Sequence, residues 1–159
     1  MITAHVGSMF IGLSISAAAA RQSQCDGALI RHQQELLSKE EHHNGFRYSA
    51  LSRAQIYVVL SRTMEECYHA GRLGGRPIMA DPLFYGSNAA TNAIMAAENF
   101  LDAHKPTLYC KYFNDAHRLY VEVSNDRYPY QGAASFLAVD RKLAREQMNV
   151  KPRGNYCRT

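Results

Sequence analysis

Three residue types that together carry nucleophilic catalysis occur in this chain in a workable order: Cys25, His117 and Asp126. Cys25 stands where the spacing of Leu29, Ile30, Leu36 and Leu37 predicts a helix from Cys25 to Glu41. A helix N-terminus lowers a thiol's pKa and favours the thiolate, which is the nucleophile. His117 falls at the start of an expected strand and Asp126 just beyond its end. A base on that strand, oriented by a carboxylate, would complete a cysteine hydrolase. The flanks of the cysteine, Ser23-Gln24-Cys25-Asp26-Gly27, form no local nucleophile signature, and His117 fits a hairpin-turn residue equally well.

The order of Cys25, His117 and Asp126 resembles that of papain-like and peptidoglycan-cleaving cysteine peptidases. That likeness implies an exported hydrolase using Cys25 and His117. The segment Arg118 to Asp126, behind an alanine-rich helix, is similar to the later part of acyl-CoA-dependent N-acetyltransferases. That family's pyrophosphate-binding glycine pattern is missing before the helix, where only Tyr85-Gly86-Ser87 stands. No functional residue carries over.

Other chemistry finds less. Cys25, Cys67, Cys110 and Cys157 are spread almost evenly with no C-x-x-C pair, against a zinc ribbon or a thioredoxin-like centre. An even count in an exported protein allows two disulfides in three connectivities; in a reducing compartment the same four would be small buried hydrophobes. Cys67-Tyr68-His69 has no recognised ligand spacing, and the neighbours His42 and His43 face different ways. Gly74-Gly75 is not followed by the Gly-Lys-Ser/Thr of a phosphate loop. Neither a metal nor a cofactor is expected.

Charge gives a different candidate. From Arg141 onward six basic residues (Arg141, Lys142, Arg145, Lys151, Arg153 and Arg158) face one acid, Glu146. That net +5 leaves the rest of a +4 chain at −1. Such a footprint suits an acidic partner. Tyr128 and Tyr130, in a Tyr-Pro-Tyr turn, add rings able to pack on it. Nucleic acid is one such partner, but no helix-turn-helix, zinc-finger or RNA-recognition signature is present. The plainer alternative is a solvated helix face and a frayed terminus.

The elements that must position these residues read as follows. A second helix spans Arg53 to Ala70, capped by Ser52 with Gln55 and burying Ile56, Val59, Leu60, Met64 and Cys67. An alanine-rich core helix starts at Ser87 or Asn88, and Lys105-Pro106 breaks it. Two strands, Thr107–Phe113 and Arg118–Ser124, are expected around an Asn114–His117 turn, because Leu119, Val121 and Val123 alternate with Tyr120 and Glu122. A last helix from about Gly132 turns Phe136, Leu137, Val139, Leu143, Ala144 and Met148 inward.

Residues 1–20 hold an apolar stretch, Met9 to Ala20, that fits either a signal peptide or an N-terminal helix. It lacks the basic start of a signal peptide and is too short to span a bilayer. Exported and cytoplasmic locations both stay open.

The sequence therefore predicts a small, predominantly helical α+β domain over residues 21–150, three or four helices with one β-hairpin, and a basic tail over 151–159. The function expected is non-catalytic binding of a protein or other acidic macromolecule through Tyr128, Tyr130, Arg141, Lys142, Arg145, Lys151 and Arg153. The alternatives are the cysteine hydrolase, or an assembly subunit or nucleic-acid accessory whose hairpin also allows homo-oligomers.

Overall fold

The computed structural model describes residues 25–41, 49–72, 82–127, 134–153 and 156–157. Among them the secondary structure is five helices: α1 Gly27–Glu41, α2 Ala50–Arg72, α3 Pro82–Asp102, α4 Pro106–Asn125 and α5 Ala134–Gln147. There is no strand among these residues, so the expected α+β class and its hairpin are wrong. The segment read as two strands and a turn is the single helix α4.

The longer period explains the correction. Tyr109, Tyr112, Phe113, Ala116, Leu119, Tyr120 and Val123 are the apolar residues of α4 that are buried, and they recur at steps of three and four. Val121, which the strand reading placed inward with Leu119 and Val123, is only partly buried. Asn114 lies exposed in mid-helix, and Asp115 pairs with Lys111 one turn earlier at 2.9 Å. Oligomerisation through a hairpin loses its element.

Helix ends follow local chemistry. Asp26 caps α1, its Oδ1 accepting from the N–H groups of Ala28 at 3.0 Å and Leu29 at 2.9 Å. Ser49, not Ser52, caps α2: its Oγ accepts from the Ser52 N–H at 3.2 Å. The α3–α4 break is a Schellman motif. Lys105 N–H donates to the Phe100 carbonyl at 2.8 Å and His104 N–H to that of Leu101 at 2.9 Å, with His104 at φ 56°. Pro106 then opens α4 at a position that needs no N–H donor.

α3 is the centre. It runs antiparallel to α2, with Gly71 against Pro82 at one end and Arg53 Nε donating to Asn99 Oδ1 at 2.8 Å at the other. It runs antiparallel to α4 as well, with Gly86 beside Val123 at one end and the Phe100 and Tyr112 rings stacked at 5.3 Å at the other. Ala89, Ala90, Ala93, Ala96 and Ala97 are fully buried in these seams. α1 packs on α2, and α5 on α3 and α4.

Two disulfides tie the periphery to this core. Cys25–Cys67 joins the start of α1 to α2, and Cys110–Cys157 joins the C-terminal segment to α4. With sequence separations of 42 and 47, each restricts the unfolded chain by roughly 4 kcal/mol on the chain-entropy argument. α5 departs from expectation in its packing. Ala144 is buried, but Val139 is 62% and Leu143 40% exposed. No described helix is long and apolar enough to cross a membrane. The apolar stretch Met9 to Ala20 lies outside the described residues.

Two predictions test this architecture. Leu119→Ala and Val123→Ala should each cost about 2–5 kcal/mol of unfolding free energy, and Val121→Ala clearly less. Denaturant melts showing equal losses at all three would restore a strand-like face. His104→Gly should stabilise the chain by up to about 1 kcal/mol, because glycine takes the left-handed conformation without a Cβ penalty.

Candidate functional site

The three residues of the hydrolase reading do not come together. Cys25 is bonded to Cys67 through sulfur, so it carries no thiolate. Asp126 is buried at the C-terminal cap of α4, where its Oδ2 accepts a 2.6 Å hydrogen bond from the Tyr68 hydroxyl. His117 lies exposed on α4. Asp126 holds α4 to α2 as a structural acceptor. Its described partner is Tyr68, not the His117 that the hydrolase reading asked it to orient.

The C-terminal cations expected to meet an acidic partner are placed by α5 and the segment after it. Lys142 and Arg145 are exposed on α5, and Arg141 is half-buried. Lys151 and Arg153 are exposed on the segment after α5. Lys142 lies 3.8 Å from Glu146, and Arg153 2.9 Å from Glu98 on α3. Both cations remain mostly exposed, so these pairs hold them loosely. The described residues of this segment are tied to α4. Arg153 N–H donates to the Tyr109 hydroxyl, Tyr156 meets the Tyr109 ring edge-on at 6.5 Å, and Cys157 is bonded to Cys110. Tyr128 and Tyr130 lie outside the described residues.

Beside these cations stands exposed apolar surface. Val139 and Leu143, one turn apart, share a face of α5, and Val150 and Tyr156 are also exposed. The stretch therefore offers both charge and apolar contact.

A second polar cluster, which sequence reasoning missed, bridges α2 and α4. Arg118 Nη2 meets Glu65 Oε1 at 2.7 Å and Nη1 meets Glu122 Oε2 at 3.5 Å. His69 lies between the same two carboxylates, 3.6 Å from each. Burial pulls the Arg118 pKa down, but the hydrogen bond and charge of Glu65, with Asp115 and Glu122, outweigh it and hold the guanidinium above its ordinary value. The signal lay in the pairs Glu65/His69 and Arg118/Glu122, each spaced by four. It vanished once the second pair was read as strand. These four side chains pair with one another across α2 and α4, with Arg118 and His69 about half exposed. Among the described residues no three His, Cys, Asp or Glu side chains gather as a metal site.

In the α3–α4 seam, the hydroxyl of the buried Tyr120 lies 3.1 Å from Thr91 Oγ1. Burial raises its pKa, and the hydrogen bond with Thr91 opposes that only in part.

Comparison with known protein families, with characterised proteins and with solved structures finds no match. What the chain can do is thus argued from its own residues.

Tyr68→Phe removes the donor to a buried carboxylate and should cost about 1–3 kcal/mol. Chemical denaturation measures it. A loss no larger than that of an exposed control such as Thr107→Ala would mean that Asp126 does not depend on Tyr68.

Proposed function

We propose that the chain is a non-catalytic binding domain that meets an acidic partner through its C-terminal stretch. The observation that carries the reading is the coincidence there of exposed cations (Lys142, Arg145, Lys151 and Arg153) with exposed Val139, Leu143, Val150 and Tyr156. Charge steers an acidic partner toward the surface, and desolvated apolar contact retains it. Anchoring by Cys110–Cys157 favours binding, because a fixed segment loses less conformational freedom than a free tail.

The two disulfides support an oxidising compartment as the place of action, since such bonds persist there and are rare where thiols are kept reduced. The same bond at Cys25 weighs against the hydrolase, which requires a free thiol. A protein surface rich in carboxylates suits the mixture of charge and aliphatic side chains better than nucleic acid does. Nucleic acid offers bases for aromatic stacking and little for Val139 or Leu143 to occupy.

A heparin matrix serves as the acidic probe. Lys142→Ala, Arg145→Ala, Lys151→Ala and Arg153→Ala combined should lower the salt needed for elution and flatten the salt dependence of binding. A control removing Arg31, Lys39, Lys105 and Lys111 changes net charge equally and should retain most of the binding. Equal losses in the two variants would reduce the effect to net charge and contradict a localised site.

A further inference from the structure

The structure assigns different redox behaviour to the two disulfides: we propose that Cys110–Cys157 is a redox-labile site that a dithiol reductant opens ahead of Cys25–Cys67. Opening it frees the C-terminal segment from α4. This inference stands on the surroundings of the two bonds and does not rest on the acidic-partner reading.

The constraint that each bond places on the unfolded chain is nearly the same, because the separations of 42 and 47 residues differ little. The difference between them comes from access and from what else holds the joined parts. Thiol–disulfide exchange begins with a thiolate reaching one of the two sulfurs. Cys67 is 3% exposed and sits in the core beside Leu60, Met64 and Tyr68, while Cys25 is partly buried against the same cluster, so this bond offers one accessible sulfur. Cys110 and Cys157 are both only partly buried, at the edge of the aromatic layer of Phe100, Tyr109, Tyr112 and Phe113. The second bond thus offers an attacking thiol two accessible sulfurs where the first offers one.

The reduced states differ too. After Cys25–Cys67 opens, Asp26 still caps α1 and Ile30 still sits in the core, which holds the two thiols near one another and favours reclosure. After Cys110–Cys157 opens, Met148 still holds the start of the segment to Ser124 and the core, and beyond it the described ties are the exposed Arg153–Glu98 pair, the bond from Arg153 N–H to the Tyr109 hydroxyl and the edge contact of Tyr156. Exposed pairs of this kind hold little. The segment gains chain freedom that α1 does not, so reduction is favoured at that site.

The chemistry is ordinary exchange. One thiolate of the dithiol attacks a sulfur of the bond, forming a mixed disulfide and expelling the other cysteine as a thiolate. The second thiol of the reductant then displaces the first cysteine. Two electrons pass to the protein, the reductant becomes a disulfide, and Cys110 and Cys157 end protonated as thiols. Departure of Tyr156 and Arg153 uncovers one side of Tyr109, which is fully buried in the oxidised chain. The site thus couples its redox state to the exposure of an aromatic surface.

The test uses the full oxidised chain incubated with graded dithiothreitol, trapped by alkylation and mapped by peptide mass. Cys110 and Cys157 should be labelled at a reductant concentration at least about tenfold below that needed for Cys25 and Cys67. At that stage the helical circular dichroism should persist while fluorescence of an apolar dye rises. Simultaneous opening of both bonds, or earlier opening of Cys25–Cys67, overturns the proposal. Opening of Cys110–Cys157 without a rise in dye fluorescence overturns release of the segment. Cys110→Ser with Cys157→Ser gives an independent reading: dye fluorescence already high without reductant supports release, and a value equal to the oxidised parent overturns it.

Discussion

The structure depends on how closely other helices can approach α3. Five alanines in two seams, with Gly86 near one end, bring α2 and α4 close on either side of one helix. A Cβ at Gly86 would lie 2.5 Å from Val123 Cγ2 and 3.1 Å from the Tyr68 ring, so the three helices meet there with no room to spare. Close packing of this kind is sensitive to a single added methyl. α2 and α4 stay farther from each other, and long side chains fill the difference. Tyr68 reaches Asp126, Arg62 reaches Tyr112, and Arg118 reaches Glu65 across it. The polar cluster with His69 and Glu122 follows from a wide, half-exposed seam opposite two narrow ones.

The alanine-rich helix was legible because its small and apolar residues recur over many turns, and Lys105-Pro106 marked its end correctly. Its start was not, because Ser87 and Asn88 are good caps placed inside a helix that Pro82 already opens. α4 was misread for a physical reason. Leu119 to Val123 alternates over a window too short to separate a period of two from one of 3.6, and valine and tyrosine favour strands. Over the full run from Tyr109 to Val123 the helical steps leave no such ambiguity. Asn114-Asp115 carried a turn signal that tertiary packing overrode, since both can face solvent from a helix.

Legibility of the candidate site was split in the same way. The even count of cysteines allowed two bridges or four buried thiols, and any pairing depends on which helices are neighbours, which is a tertiary fact. The excess of positive charge after Arg141 was visible from composition alone. That its segment is fastened against Tyr109 was not, because no local pattern encodes a contact between residues 44 positions apart. Asp126 shows the limit of picking residues by type: its carboxylate accepts from Tyr68, and its backbone N–H ends α4 on the Val123 carbonyl.

The central claim is a core built on α3 with two peripheral segments fastened to it by defined cysteine pairs. Peptide mapping of the unreduced chain, digested at low pH to prevent exchange, tests it most directly. The account predicts one peptide pair containing Cys25 with Cys67, another containing Cys110 with Cys157, and no thiol open to alkylation. A Cys25–Cys110 or Cys67–Cys157 pair would contradict it, because those residues cannot be joined while α1 and the C-terminal segment hold these positions.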